Sequence, residues 1–78
     1  MDLQAELNAK RLELASTEQL ISQLTKDREG LRPGPGYGDA KQQLTDSILR
    51  HTKASARLQR EIKSLNTALT ESLQPKLL

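Results

Sequence analysis

The sequence predicts an all-α fold, two long antiparallel helices forming a coiled-coil hairpin. Three observations lead there. All four glycines and two of the three prolines fall within residues 30–38, which leaves long breaker-free stretches on either side. Each stretch carries leucine and isoleucine at alternating spacings of three and four, the seam of a coiled coil. When the chain is folded about Gly36, the two seams match layer for layer.

The first helix is expected over residues 2–29. Leu3, Leu7, Leu14, Ile21 and Leu24 mark its seam, and Lys10, Thr17 and Arg28 occupy the remaining seam positions. Gly30 follows as a residue able to take the left-handed cap conformation. Leu31 is the apolar follower of such a cap, and Pro33 blocks continuation. Residues 30–38 form the connecting loop, long enough to reverse the chain without strain. Asp39, followed three residues later by Gln42, reads as a capping box opening a second helix over residues 39–74, which Pro75 closes. Its seam is Leu44, Ile48, Leu58, Ile62, Leu65 and Leu69, with His51, Ser55 and Ser72 in the gaps. At about 1.5 Å per residue the helices measure roughly 42 and 53 Å.

Antiparallel pairing matches residues whose numbers sum to about 72. The layers are Leu3/Leu69, Leu7/Leu65, Lys10/Ile62, Leu14/Leu58, Thr17/Ser55, Ile21/His51, Leu24/Ile48 and Arg28/Leu44. No layer opposes two charges, and the small polar layer Thr17/Ser55 is able to hydrogen-bond.

Composition narrows the function classes. With 78 residues the chain makes a single domain, 1–78, and it has no Cys for a disulfide or thiolate metal site. Val is absent, Ile occurs three times, and Tyr37 is the sole aromatic, which argues against a sheet and against a conventional core. No run reaches the roughly 18 apolar residues of a membrane span, and no basic-then-apolar leader opens the chain. A cytoplasmic, intracellular location is therefore expected. The net charge of +2 divides into −1 over residues 1–32 and +3 over residues 39–78, so any basic function belongs to the second helix.

Two features outside the seam are candidate partner surfaces. Leu12 and Leu20 of the first helix and Leu73 of the second lie off it, and Ala5, Ala9, Leu12 and Ser16 trace a second, outward stripe. Such a stripe suits a homodimer or a partner helix, although scattered exposed leucine is ordinary on any surface. Leu73, Leu77 and Leu78 run past the start of the first helix, which suggests that the native chain continues or that a second molecule covers them. Arg50, Lys53, Arg57 and Arg60 place four cations on the outer face of the second helix, with Lys63 nearby and Glu61 the one acid among them. The stripe suits an acidic partner, an acidic filament surface or a phospholipid headgroup layer; its ordinary reading is a solvated face. Nucleic acid is not expected, because nothing aromatic interleaves the cations. Membrane binding is not expected either, because the face opposite the charges is used by the seam.

Catalysis and cofactors have no foothold. His51 is the only histidine and faces Ile21 in the seam, where it reads as a tolerated or register-setting polar residue. Asp46 and Ser47 precede it by five and four residues, which forms no catalytic arrangement, and no clustered ligands suggest a metal. Pro33-Gly34-Pro35-Gly36-Tyr37-Gly38 is rich in glycine but follows a helix and leads into Asp39. That is the context of a turn, not of a phosphate-binding loop.

One resemblance extends over nearly the whole chain. Ala15-Ser16-Thr17-Glu18-Gln19-Leu20, and the run from Gln43-Leu44-Thr45-Asp46-Ser47 through Leu58 to Leu65, are similar to the coiled-coil finger of Rho-GTPase effectors, the Rho-effector homology region. The resemblance implies binding of a small GTPase through its switch regions across the paired helices. The reading from the residues is a non-catalytic interaction module without cofactors. It would self-associate, as a homodimeric four-helix bundle, or dock a larger scaffold, cytoskeletal or trafficking protein; the alternative is the Rho-type GTPase-binding finger.

Overall fold

A computed structural model of the chain describes residues 2–73, with the side chain of Leu73 also outside the described part. It holds two helices, α1 (Leu3–Glu29) and α2 (Tyr37–Leu73), packed along their length as an antiparallel hairpin. No strand occurs among the described residues. The molecule is a rod of 69 × 18 × 17 Å with a radius of gyration of 18.5 Å. A compact domain of this length would have about 11.5 Å. The whole core is therefore a single seam.

Local chemistry explains where each helix starts and stops. Asp2 caps α1: its carboxylate accepts from the backbone N–H of Gln4 (3.0 Å) and Ala5 (3.3 Å). Two donors that have no partner within the helix are thereby satisfied. At the other end Gly30 is right-handed (φ −82°, ψ −6°), not left-handed as the Gly-Leu-x-Pro pattern suggests. Its N–H donates to the Lys26 carbonyl at 2.9 Å, and the Leu31 N–H reaches the Arg28 carbonyl at 3.3 Å. The helix thus tightens and stops without a reversal at the glycine.

The reversal is made at Gly36, the one residue with positive φ (79°) among those described. Gly34-Pro35-Gly36-Tyr37 closes a β-turn in which the Tyr37 N–H donates to the Gly34 carbonyl at 3.1 Å. Proline at the second position and a positive-φ glycine at the third form the type II pattern. The same glycine starts α2, because its carbonyl accepts from the Ala40 N–H at 3.0 Å. The helix consequently begins at Tyr37, two residues before the expected Asp39. Asp39 sits inside the first turn and acts there by its charge on the positive helix end. Gln42 does not complete a capping box; its amide donates to Asp46 at 2.8 Å. The expected last residues of this helix, with Pro75, lie outside the described part.

Packing follows a heptad pattern. Leu7, Leu14, Ile21 and Arg28 occupy position a of α1, and Leu3, Lys10, Thr17 and Leu24 position d; in α2, Ile48, Ser55, Ile62 and Leu69 are a, and Leu44, His51, Leu58 and Leu65 are d. Leu7 and Leu58 are 1% and 2% exposed, Ser55 is also buried, and the other thirteen of these side chains are half-buried. Polar bridges between the helices show the register directly. The Lys10 ammonium lies 2.7 Å from Glu61, and Arg28 donates to the Thr45 hydroxyl at 3.5 Å, both within one residue of the sum of 72. The Thr17/Ser55 layer does not bond across the seam. Thr17 donates to the Glu13 carbonyl of its own helix at 2.8 Å, and Ser55 accepts from Gln59 at 3.5 Å. A hydroxyl one turn above a carbonyl finds that partner without any help from the opposite helix.

Candidate interaction surface

The features outside the seam are distributed around the rod. Leu12 is 72% exposed, at heptad position f, turned away from α2; Leu20 is 42% exposed, at position g, on one edge of the seam. Leu49, 54% exposed, stands at position b of α2 and was not singled out by the pattern. Its neighbour Ile48 satisfies the seam spacing, and the next residue on a helix points about 100° away. An Ile-Leu pair therefore always leaves one member outside a narrow seam, which is the signal that would have found it. Leu12, Leu20 and Leu49 do not form one continuous patch, because they occupy three different heptad positions. Ala5, Ala9 and Ser16 are exposed beside Leu12. Leu77, Leu78 and the side chain of Leu73 lie outside the described residues.

Arg50, Lys53, Arg57 and Arg60 are all exposed on α2, as is Lys63. Glu61, the acid within this run, does not simply neutralise it. Its Oε2 approaches the Lys10 ammonium at 2.7 Å, while Oε1 lies 3.8 Å from Arg57 Nε. Oε2 is shielded from solvent and has no hydrogen-bond donor besides that ammonium to replace the lost water. The carboxyl is held below its usual range, first by the hydrogen bond from Lys10, then by the attraction of Lys10, Arg57 and Arg60, with desolvation opposing. Lys10 is correspondingly raised by the same hydrogen bond and charge. Neither partner is deeply buried, so solvent screens the pair substantially. Glu61 thus turns toward α1 and approaches Arg57 alone among the cations of the stripe; Arg50, Lys53 and Arg60 have no ion-pair partner among the described residues.

The rod has two edges, and they differ. On the edge formed by position g, Glu6, Lys10, Glu61, Ser64 and Leu65 line a shallow groove between the helices. On the opposite edge, formed by position e, Arg11 donates to Asn66 at 3.3 Å across the seam. Tyr37 is half-buried at the turn with the Lys41 ammonium 5.7 Å from its ring centre, a cation–π contact that ties the first turn of α2 to itself.

His51 is half-buried, and its Nδ1 lies 2.7 Å from the Ser47 carbonyl. A carbonyl only accepts, so Nδ1 carries the proton there and the ring is oriented by its own helix. No group of His, Asp or Glu with metal-site geometry occurs among the described residues, and none of their helices is long and apolar enough to cross a membrane. No family profile, curated protein or solved structure matches the chain.

Proposed function

We propose that the chain is a non-catalytic protein–protein interaction module, a coiled-coil hairpin that self-associates or docks within a larger scaffold, cytoskeletal or trafficking assembly. One observation supports this reading. Only two apolar side chains, Leu7 and Leu58, are fully covered among the described residues, while Leu12, Leu20 and Leu49 stand 72%, 42% and 54% exposed. A fold that covers so few of its leucines has apolar surface to give to another molecule. Solvent-facing cations along α2 add a polar rim suited to orienting a partner.

Sedimentation equilibrium of the intact chain at micromolar concentration tests self-association, with a concentration-dependent rise in mass expected. A heat-stable monomer at every concentration overturns it. The finger reading implied by the family resemblance is tested on the same preparation. Binding to a Rho-type GTPase loaded with a GTP analogue, but not with GDP, supports it, and nucleotide-independent or absent binding removes it.

A further inference from the structure

The self-association reading leaves open which face is used and how two copies would be oriented, and the charges on the g edge bear on both. On α1 this edge presents Glu6, Glu13, Leu20 and Asp27, three acids around one part-exposed leucine. None of these acids has an ion-pair partner among the described residues. On α2 the adjoining surface carries Arg50, Arg57 and, beside them, Lys53 and Arg60. Its one opposing acid near the centre, Glu61, is turned to Lys10. Between the cations and the seam lie Ser47 and Ala54, whose small side chains keep the edge low enough for another helix to approach. This side of the rod is thus acidic along α1 and basic along α2 over residues 50–60, with Asp46, Glu61 and Glu71 bounding the basic stretch.

A surface of that kind is complementary to itself under one symmetry. A two-fold axis parallel to the rod places α1 of each copy on α2 of the other at the same level along the length. An axis across the rod would instead set α1 on α1, acids against acids. We propose that a second copy of this chain docks on the g edge about the parallel axis, giving a four-helix bundle in which α1 lies on the partner's α2. This proposal rests on the self-association reading. Because each level is kept, Glu13 arrives between Arg57 and Arg60 of the second copy. Glu6 falls at the level of Ser64 and Thr67, and Leu20 settles over Ala54 beside Lys53. At the turn end Asp27 meets the level of Asp46, a like charge, and Lys26 alongside it supplies the compensating cation.

The test is charge reversal with rescue, read by sedimentation equilibrium on the intact chain. Glu13→Lys and Arg60→Glu should each weaken the dimer by about tenfold or more, since like charges then meet at both copies of the contact. The doubly reversed chain, with both substitutions, should recover most of the affinity. Circular dichroism of the dilute monomer should show unchanged helix content in all three variants, which separates a lost contact from a lost fold. Self-association that is indifferent to both single reversals, or weakened without rescue, overturns this face while leaving self-association itself intact. A wild-type chain that stays monomeric removes both proposals together.

Discussion

Replacing Leu7 by Ala is the most direct probe of what holds the hairpin together. Leu7 is 1% exposed and lies in the layer opposite half-buried Leu65. The substitution deletes three carbons from a covered site; at about 0.8 kcal/mol per buried methylene, the transfer loss is about 2.4 kcal/mol. A cavity adds to this in a thick core. Here the layer is two side chains wide and borders solvent, so Leu65 can relax into the gap and the addition is small. The expected loss is about 2.5–3 kcal/mol, out of a total of about 4–12 kcal/mol for a chain of this size. Leu12→Ala is the matched control. At 72% exposure it forfeits only about a quarter of the same transfer, roughly 0.7 kcal/mol, and alanine recovers part of that through its helix propensity.

The assay is urea unfolding followed by far-ultraviolet circular dichroism, at the lowest concentration that gives a clean signal. Dilution keeps association from contributing. With a urea dependence of about 1 kcal/mol/M for a small protein, Leu7→Ala should lower the midpoint by about 2.5 M and Leu12→Ala by well under 1 M. Equal losses for the two, or a loss below about 1 kcal/mol at Leu7, would refute the single-seam account of stability.

Three further predictions concern the turn, the ion pair and the register. Gly30 is right-handed, and a Cβ there would meet the Lys26 carbonyl at 3.4 Å, an ordinary contact; Gly30→Ala should stabilise by about 0.4–1 kcal/mol. Gly36→Ala, forced to φ 79°, should cost about 1–2 kcal/mol although nothing crowds its Cβ; both are read from thermal unfolding. The stability difference between wild type and Glu61→Gln should be level between pH 4.5 and 10.5, the ordinary values of the two groups. The lowered carboxyl makes it shrink as pH falls through the folded value of Glu61, and the raised amine makes it shrink as pH rises through that of Lys10. A difference that grows at either extreme contradicts the pairing. Finally, Leu7→Cys with Leu65→Cys should cross-link within one chain. Lys10→Leu should permit a measurable cross-link between Leu7→Cys and Leu58→Cys, one heptad out of register; its complete absence would show that Lys10 does not guard the register.

How much of this was legible in the residues depends on whether the feature is periodic. The seam is legible because burial recurs every 3.5 residues, and the hairpin because two such patterns meet around one cluster of breakers. Lys10 was recognisable as a seam residue, but its partner was not. Glu61 reads on its own helix as a break in a basic stripe, and only the antiparallel superposition brings it within 2.7 Å of the ammonium. The turn failed for a related reason. Gly30 and Gly36 are chemically identical, and which one takes positive φ is decided by Pro35, whose fixed φ prepares the second position of a type II turn for Gly36 at the third. The start of α2 then moves to Tyr37, because a turn whose third residue offers its carbonyl to Ala40 already makes the first helical bond. Leu49 went unseen because a neighbouring isoleucine met the spacing first.

A charged residue in a seam that has so little apolar area to spare calls for a physical reason, and the g positions of α2 supply one. They read Ser47, Ala54, Glu61 and Ala68, so an acid occurs there once. The leucine pattern itself repeats every heptad and would pack nearly as well if α2 slid by seven residues in either direction. After such a slide Lys10 would face Ala54 or Ala68 and lose its carboxylate across the seam, keeping only Glu6 and Glu13 of its own helix nearby. The observed register is the one in which the pair is made, and the short turn closed at Gly34–Tyr37 penalises the others in the same sense. The pair therefore favours this alignment by the one interhelical ion pair that the slipped ones lack, a modest preference because solvent screens a bridge at the edge of the seam.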